Sequence, residues 1–185
     1  MAPFFTVDLK DKEMIRSKRS FTLFAGLMRA NSTLTQLTLS SVNPEHIDVL
    51  ADALATNTTL QSLTLEQPSK TGDTAIATLP VQQLNGQEAL SLIDLSKAGG
   101  SEQFGPQPMH RHACGVVGAI LAANKKIQRL KIDPGGGSEG GSILEHLHRA
   151  RKSTLVTLDV SGIGLAERGG VRFFETLLAG KCNFV

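Results

Sequence analysis

A short apolar figure, Leu-x-x-Leu-x-Leu or a close variant, returns six times along these 185 residues. Its copies are Phe4-Val7-Leu9, Leu34-Leu37-Leu39, Leu60-Leu63-Leu65, Leu90-Ile93-Leu95, Ile127-Leu130-Ile132 and Leu155-Leu158-Val160. Repeats starting near 4, 34, 60, 90, 127 and 155 leave room in each unit for one strand and one helix. A unit of that size cannot bury its apolar face alone, so neighbours must stack and share a core. The expected fold is therefore α/β: a single solenoid domain over 1–185 with about six repeats, a parallel concave sheet and convex helices.

Within each figure the fourth and sixth positions alternate with outward ones, the period of a strand. Between figures the spacing turns helical. Ile47, Leu50 and Leu54 share one helix face, with Pro44 placed for a first turn. Phe24 and Met28, Val117 and Leu121, and Phe174 and Leu178 repeat the four-residue step. Asn31, Asn57 and Asn124 each precede the next figure by three residues, and Asn85-Gly86 stands at the corresponding point of the third unit. Asparagine there suggests a left-handed helix end. Pro80 predicts that the third helix is short, kinked or replaced by an extended segment. Two glycine-rich stretches, 97–109 and 134–142, are expected to be mobile loops on one rim.

The core must be aliphatic: 41% of the residues are hydrophobic, but the aromatics, 4%, are all Phe. A net charge of +2 does not demand nucleic acid as a partner. No apolar run approaches the roughly 18 residues of a membrane span. Asp8, Asp11 and Glu13 argue against a mitochondrial presequence. Cys114 and Cys182 fall in different helical segments, which favours a reducing, intracellular setting, cytoplasmic or within an organellar assembly.

The phrases NSTLTQLTL (31–39), NTTLQSLTL (57–65), NKKIQRLKI (124–132) and STLVTLDVSGIGLAERGG (153–170) carry a family likeness. The chain resembles leucine-rich repeat proteins of the ribonuclease-inhibitor-like subclass. One feature departs from that pattern. Where the family has Asn or Cys at the ninth repeat position, this chain has Lys12, Val42, Pro68, Ala98, Gly135 and Ile163. The family's hydrogen-bonded turn ladder is therefore expected to be missing or replaced. The resemblance implies a protein-binding role without catalysis.

On that register Asp94, Arg129, Lys131 and Asp159, with Glu66 and Thr64, face outward from the concave sheet and form the expected partner-binding surface. Other groupings carry metal-ligand or phosphate-loop residue types. His110 and Cys114 lie four apart with no evident fourth metal ligand; His146 and His148, two apart, read as exposed or edge positions. The loop 135–141 lacks the Lys-Ser or Lys-Thr of a phosphate-binding loop. No cofactor, metal, small molecule, membrane or enzymatic activity is expected. The basic clusters Lys10, Lys12, Arg16, Lys18, Arg19 and Arg149, Arg151, Lys152 read as solvated faces. Neither end carries a polar cap, with Phe4 and Phe5 at one and KCNFV at the other, so the ends join the concave face as expected contacts. The expected function is a protein–protein interaction module, an accessory subunit of a larger assembly. The alternatives are a ligand-sensing or regulatory domain of a longer receptor-like or effector protein and, after that, an RNA- or DNA-associated subunit.

Overall fold

The computed structural model describes residues 6–9, 17–68, 73–85, 92–95, 98–101, 105, 106, 109–124, 129–133, 140–149, 157–159, 171, 174 and 175. In chain order the elements are β1 (Thr6–Leu9), α1 (Lys18–Ala30), β2 (Gln36–Ser40), a 3-10 turn (Pro44–His46), α2 (Ile47–Thr56), β3 (Ser62–Pro68) and β4 (Thr74–Pro80). Then come α3 (Val81–Leu84), β5 (Leu92–Asp94), β6 (Gly99–Ser101), β7 (Gly105–Pro106), α4 (Arg111–Ala123), β8 (Arg129–Asp133), α5 (Gly141–Arg149) and β9 (Thr157–Asp159).

Each copy of the apolar figure contains a strand: β1, β2, β3, β5, β8 or β9. The first three copies align in register, Val7 with Leu37 with Leu63 and Leu9 with Leu39 with Leu65. The expected solenoid of about six repeats on one parallel sheet does not form. The free edge of β3 is taken by β4, which pairs antiparallel with it from Ser62 opposite Pro80 to Pro68 opposite Thr74. Two short antiparallel strands, β6 and β7, extend that edge and complete a mixed six-stranded sheet in the order β1-β2-β3-β4-β6-β7. The remaining figure strands form a separate three-stranded parallel sheet, β5-β8-β9. Among the described residues the architecture is thus a mixed α/β fold with two sheets.

The physical reason lies in residues 74–80. The alternation Thr-Ala-Ile-Ala-Thr-Leu-Pro, with β-branched residues at Thr74, Ile76 and Thr78, favours an extended strand. Ala77 and Leu79 point inward opposite Leu65 and Leu63, and all four are buried. Pro80 ends the strand and leaves α3 only four residues. Part of the stretch 97–109 expected as a mobile loop is ordered as β6 and β7, and 141–142 of the second loop open α5. Residues 134–139 lie outside the described residues, as do Phe4, Phe5, Cys182 and the C-terminal KCNFV.

The helices pack as their apolar spacing dictates. Phe21, Ala25 and Met28 of α1 and Ile47, Leu50 and Leu54 of α2 are buried. α4 is buried on every side from Ala113 to Leu121, packed against both α2 and α5, the usual place for a helix apolar all round. Each fully buried Leu adds about 1.5–3 kcal/mol of transfer free energy.

A hydrogen-bonded ladder does exist, on the turns opposite those where the family pattern puts it. Asn57 Nδ2 donates to Met28 O at 2.7 Å and Asn31 O at 3.1 Å. Asn85 Nδ2 donates to Leu54 O at 2.7 Å and Asn57 O at 3.1 Å, and Asn124 Nδ2 donates to Leu84 O at 3.1 Å. Each amide adds a donor to carbonyls at the C-terminal end of the helix one unit back, two of which, Met28 O and Leu54 O, already accept from Asn31 N and Asn57 N. The backbone at Asn31, Asn57 and Asn124 is extended, not left-handed, with φ near −70° and ψ near 130°. Asparagine is therefore used for its amide at these turns, not for tolerance of positive φ.

Candidate functional site

The six residues expected to form one concave surface are divided between the two sheets. Thr64 and Glu66 stand on β3, and both are engaged within the sheet. Ser40 Oγ donates to Glu66 Oε2 at 2.6 Å, and the Thr64 and Thr78 hydroxyls lie 3.2 Å apart. These contacts strap β2 to β3 and β3 to β4. On the second sheet Asp94 pairs with Asp133, Arg129 with Thr157, and Lys131 with both Leu92 and Asp159. Lys131 and Asp159 are thus cross-strand neighbours. By register Asp94 and Arg129 fall on the same face of the second sheet as this pair, whereas Thr64 and Glu66 stand on the first sheet, where β4 takes the edge that β5 would have continued.

His110, His112 and Cys114 have structural duties. His110 is the N-cap of α4: its Nδ1 accepts from Ala113 N at 3.3 Å, while Nε2 lies 3.4 Å from Leu65 O. With Nδ1 accepting, Nε2 is the protonated nitrogen and donates to that carbonyl. His112 Nδ1 pairs with Gln67 Oε1 at 2.7 Å. Cys114 is buried, its thiol 3.8 Å from Met109 O. Beneath these histidines, where β2, β3 and α4 meet, a void of about 10 Å³ is too small for more than a water molecule. Among the described residues no group of three or more His, Cys, Asp or Glu could hold a metal ion.

Burial holds the His110 pKa below its ordinary 6.5; the bond to Leu65 O opposes this and the nearby His112 reinforces it. The folded chain therefore binds this proton less readily than the unfolded chain. The resulting stability is complete above about pH 6.5 and declines as pH falls below it toward the folded pKa. Urea denaturation at pH 7.5 and 5.5 is expected to show a loss at the lower pH that shrinks in His110→Asn, a non-titrating residue well suited to an N-cap. An equal loss in both proteins would contradict this assignment.

Two surfaces outside the sequence-derived set stand out among the described residues. The first is the outer face of α1. Leu23 and Leu27, one turn apart, are 65% and 72% exposed, while Phe21, Ala25 and Met28 of the same helix are buried. Ser17 caps this helix, and Lys18, Arg19 and Arg29 are exposed beside the leucines with no acidic residue in the segment. The sequence signal for this face is a second leucine stripe off the buried one.

The second is a cleft of about 240 Å³ among α2, α4 and α5. Ala51, Ala119, Ala122 and Ala123 line it with methyl groups, and Asp48, Asp52 and His146 add polar atoms. His146, read from sequence as an exposed or edge position, is 15% exposed, and its Nδ1 lies 3.6 Å from Asp48 Oδ1. Next to this cleft α4 crosses closely over α5 at Gly118, where a Cβ would sit 2.8 Å from Ile143 Cα. The side chain of His148 lies outside the described residues.

Among the described residues no helix is long and apolar enough to cross a membrane. The sequence matches no protein-family model and no curated protein.

Proposed function

We propose that this chain is a protein–protein interaction module whose principal contact surface is the outer face of α1. The observation that carries this reading is the exposed pair Leu23 and Leu27 on a helix whose other face is firmly packed. Scattered exposed apolar residues are ordinary, but adjacent leucines on one helix face, rimmed by cations, form a patch suited to a partner. The partner that fits is a protein segment offering apolar side chains to the leucines and carboxylates to Lys18, Arg19 and Arg29. Engagement of His110, His112 and Cys114 within the fold is in keeping with a non-catalytic role.

The test is affinity capture with the tagged wild type and with Leu23→Asp/Leu27→Asp. Both leucines are exposed, so the variant should retain the wild-type melting temperature within a few degrees. The expected result is a stoichiometric partner recovered by the wild type and lost from the variant. Recovery of the same partner by both would overturn the reading, as would failure of the wild type to retain any partner.

A further inference from the structure

We propose that the cleft among α2, α4 and α5 is a socket for an arginine side chain of a partner polypeptide. The inference rests on the interaction reading but on a different face, so the two can fail separately. Its volume, about 240 Å³, lies below the roughly 300–1,000 Å³ of pockets for cofactors and drug-sized ligands, and suits a single long side chain.

Charge decides what kind of side chain. Asp48 and Asp52 are four residues apart on α2 and both are exposed. On a helix that spacing brings like charges within about 5–6 Å, an arrangement unfavourable to the helix itself. Asp52 makes no ion pair among the described residues; Asp48 has the His146 ring 3.6 Å away. A cation entering here would relieve the repulsion between the two carboxylates.

Shape favours arginine over lysine. The four alanine methyls offer apolar contact to a three-carbon stem, as buried stems of basic side chains require. Two carboxylates one turn apart match the planar, five-donor guanidinium better than a point-charge ammonium.

The test uses the full chain, 15N-labelled, titrated with the capped tripeptide acetyl-Gly-Arg-Gly-amide and its lysine and citrulline counterparts. Citrulline keeps the shape of arginine and removes its charge. The arginine peptide is expected to shift amides of α2, α4 and α5 around Asp52, Ala122 and His146, leaving those of Leu23 and Leu27 unmoved. Lysine should bind more weakly, and citrulline about tenfold more weakly, as loss of charge-assisted hydrogen bonds predicts. Asp52→Asn should weaken the arginine peptide by a similar factor, and added salt should weaken it further. No localised shifts at millimolar peptide would overturn the proposal. Equal shifts by the citrulline peptide, or undiminished binding by Asp52→Asn, would overturn it as well.

Discussion

Asn57→Ala is expected to lower the unfolding free energy by about 2 kcal/mol, because Thr59 N and Leu60 N lose their acceptor while Met28 O and Asn31 O each lose one of two donors. The side chain is only 2% exposed. Its amide donates to Met28 O and Asn31 O, and its Oδ1 accepts from Thr59 N at 2.9 Å and Leu60 N at 2.7 Å. One residue thus closes the end of α1, starts the approach to β3 and ties the second unit to the first. Asn31 provides the comparison. It is half-buried, and its Oδ1 accepts from Thr33 N and Leu34 N. Asn31→Ala should cost about 1 kcal/mol. Asn57→Asp separates the two halves of the Asn57 role: it keeps the acceptor and replaces the donor with an oxygen facing two carbonyls, so it too should destabilise clearly. Urea denaturation followed by circular dichroism measures all three. An Asn57→Ala cost no larger than that of Asn31→Ala would show that the ladder contributes nothing beyond an ordinary turn.

Gly118→Ala is expected to cost about 2 kcal/mol, despite the roughly 1 kcal/mol that Ala gains over Gly in a helix interior. The added methyl would stand 2.8 Å from both Cα and O of Ile143 and 3.0 Å from Cβ of His146. Backbone atoms cannot swing aside as a side-chain tip can, so α4 and α5 must move apart. That displacement carries His146 away from Asp48 and opens the cleft, and binding of the arginine peptide should weaken in the same variant. Gly26→Ala on α1 is the control: nothing lies within 4 Å of its added methyl, and helix propensity should make it stabilising by about 0.5–1 kcal/mol. Thermal and urea denaturation of the pair read the contrast. Two stabilising substitutions would mean that the helices do not cross as closely as the fold requires.

Six of the strands were legible because each is marked by its own apolar figure, and Ile47, Leu50 and Leu54 mark the buried face of α2. Pro80 announced a third helix that is short, kinked or replaced, and the structure has both a strand ending at Pro80 and a four-residue helix after it. Sheet continuity was not. Leu63 and Leu65 read the same whether their neighbour is a parallel strand of the next repeat or the antiparallel β4, since both bury the same side chains. The glycines of β6 have weak strand preference, and its pairing to β4 comes from the edge it meets. Once β4 took that edge, Thr64 and Glu66 were parted from Asp94, Lys131 and Asp159, which share one face of the second sheet. The cleft was hidden for a similar reason. Asp48 and Asp52 look like ordinary solvent-facing positions of α2, and only the packing of α4 and α5 brings alanines and His146 around them.

Hydroxyl-radical footprinting of the chain, alone and within its captured complex, tests the interaction account most directly, because it reads side-chain exposure residue by residue. The account predicts that Leu23 and Leu27 are oxidised readily in the free chain and are strongly shielded in the complex. Unchanged oxidation of both leucines in the complex, with shielding confined to the sheet residues around Thr64 and Glu66, would contradict it.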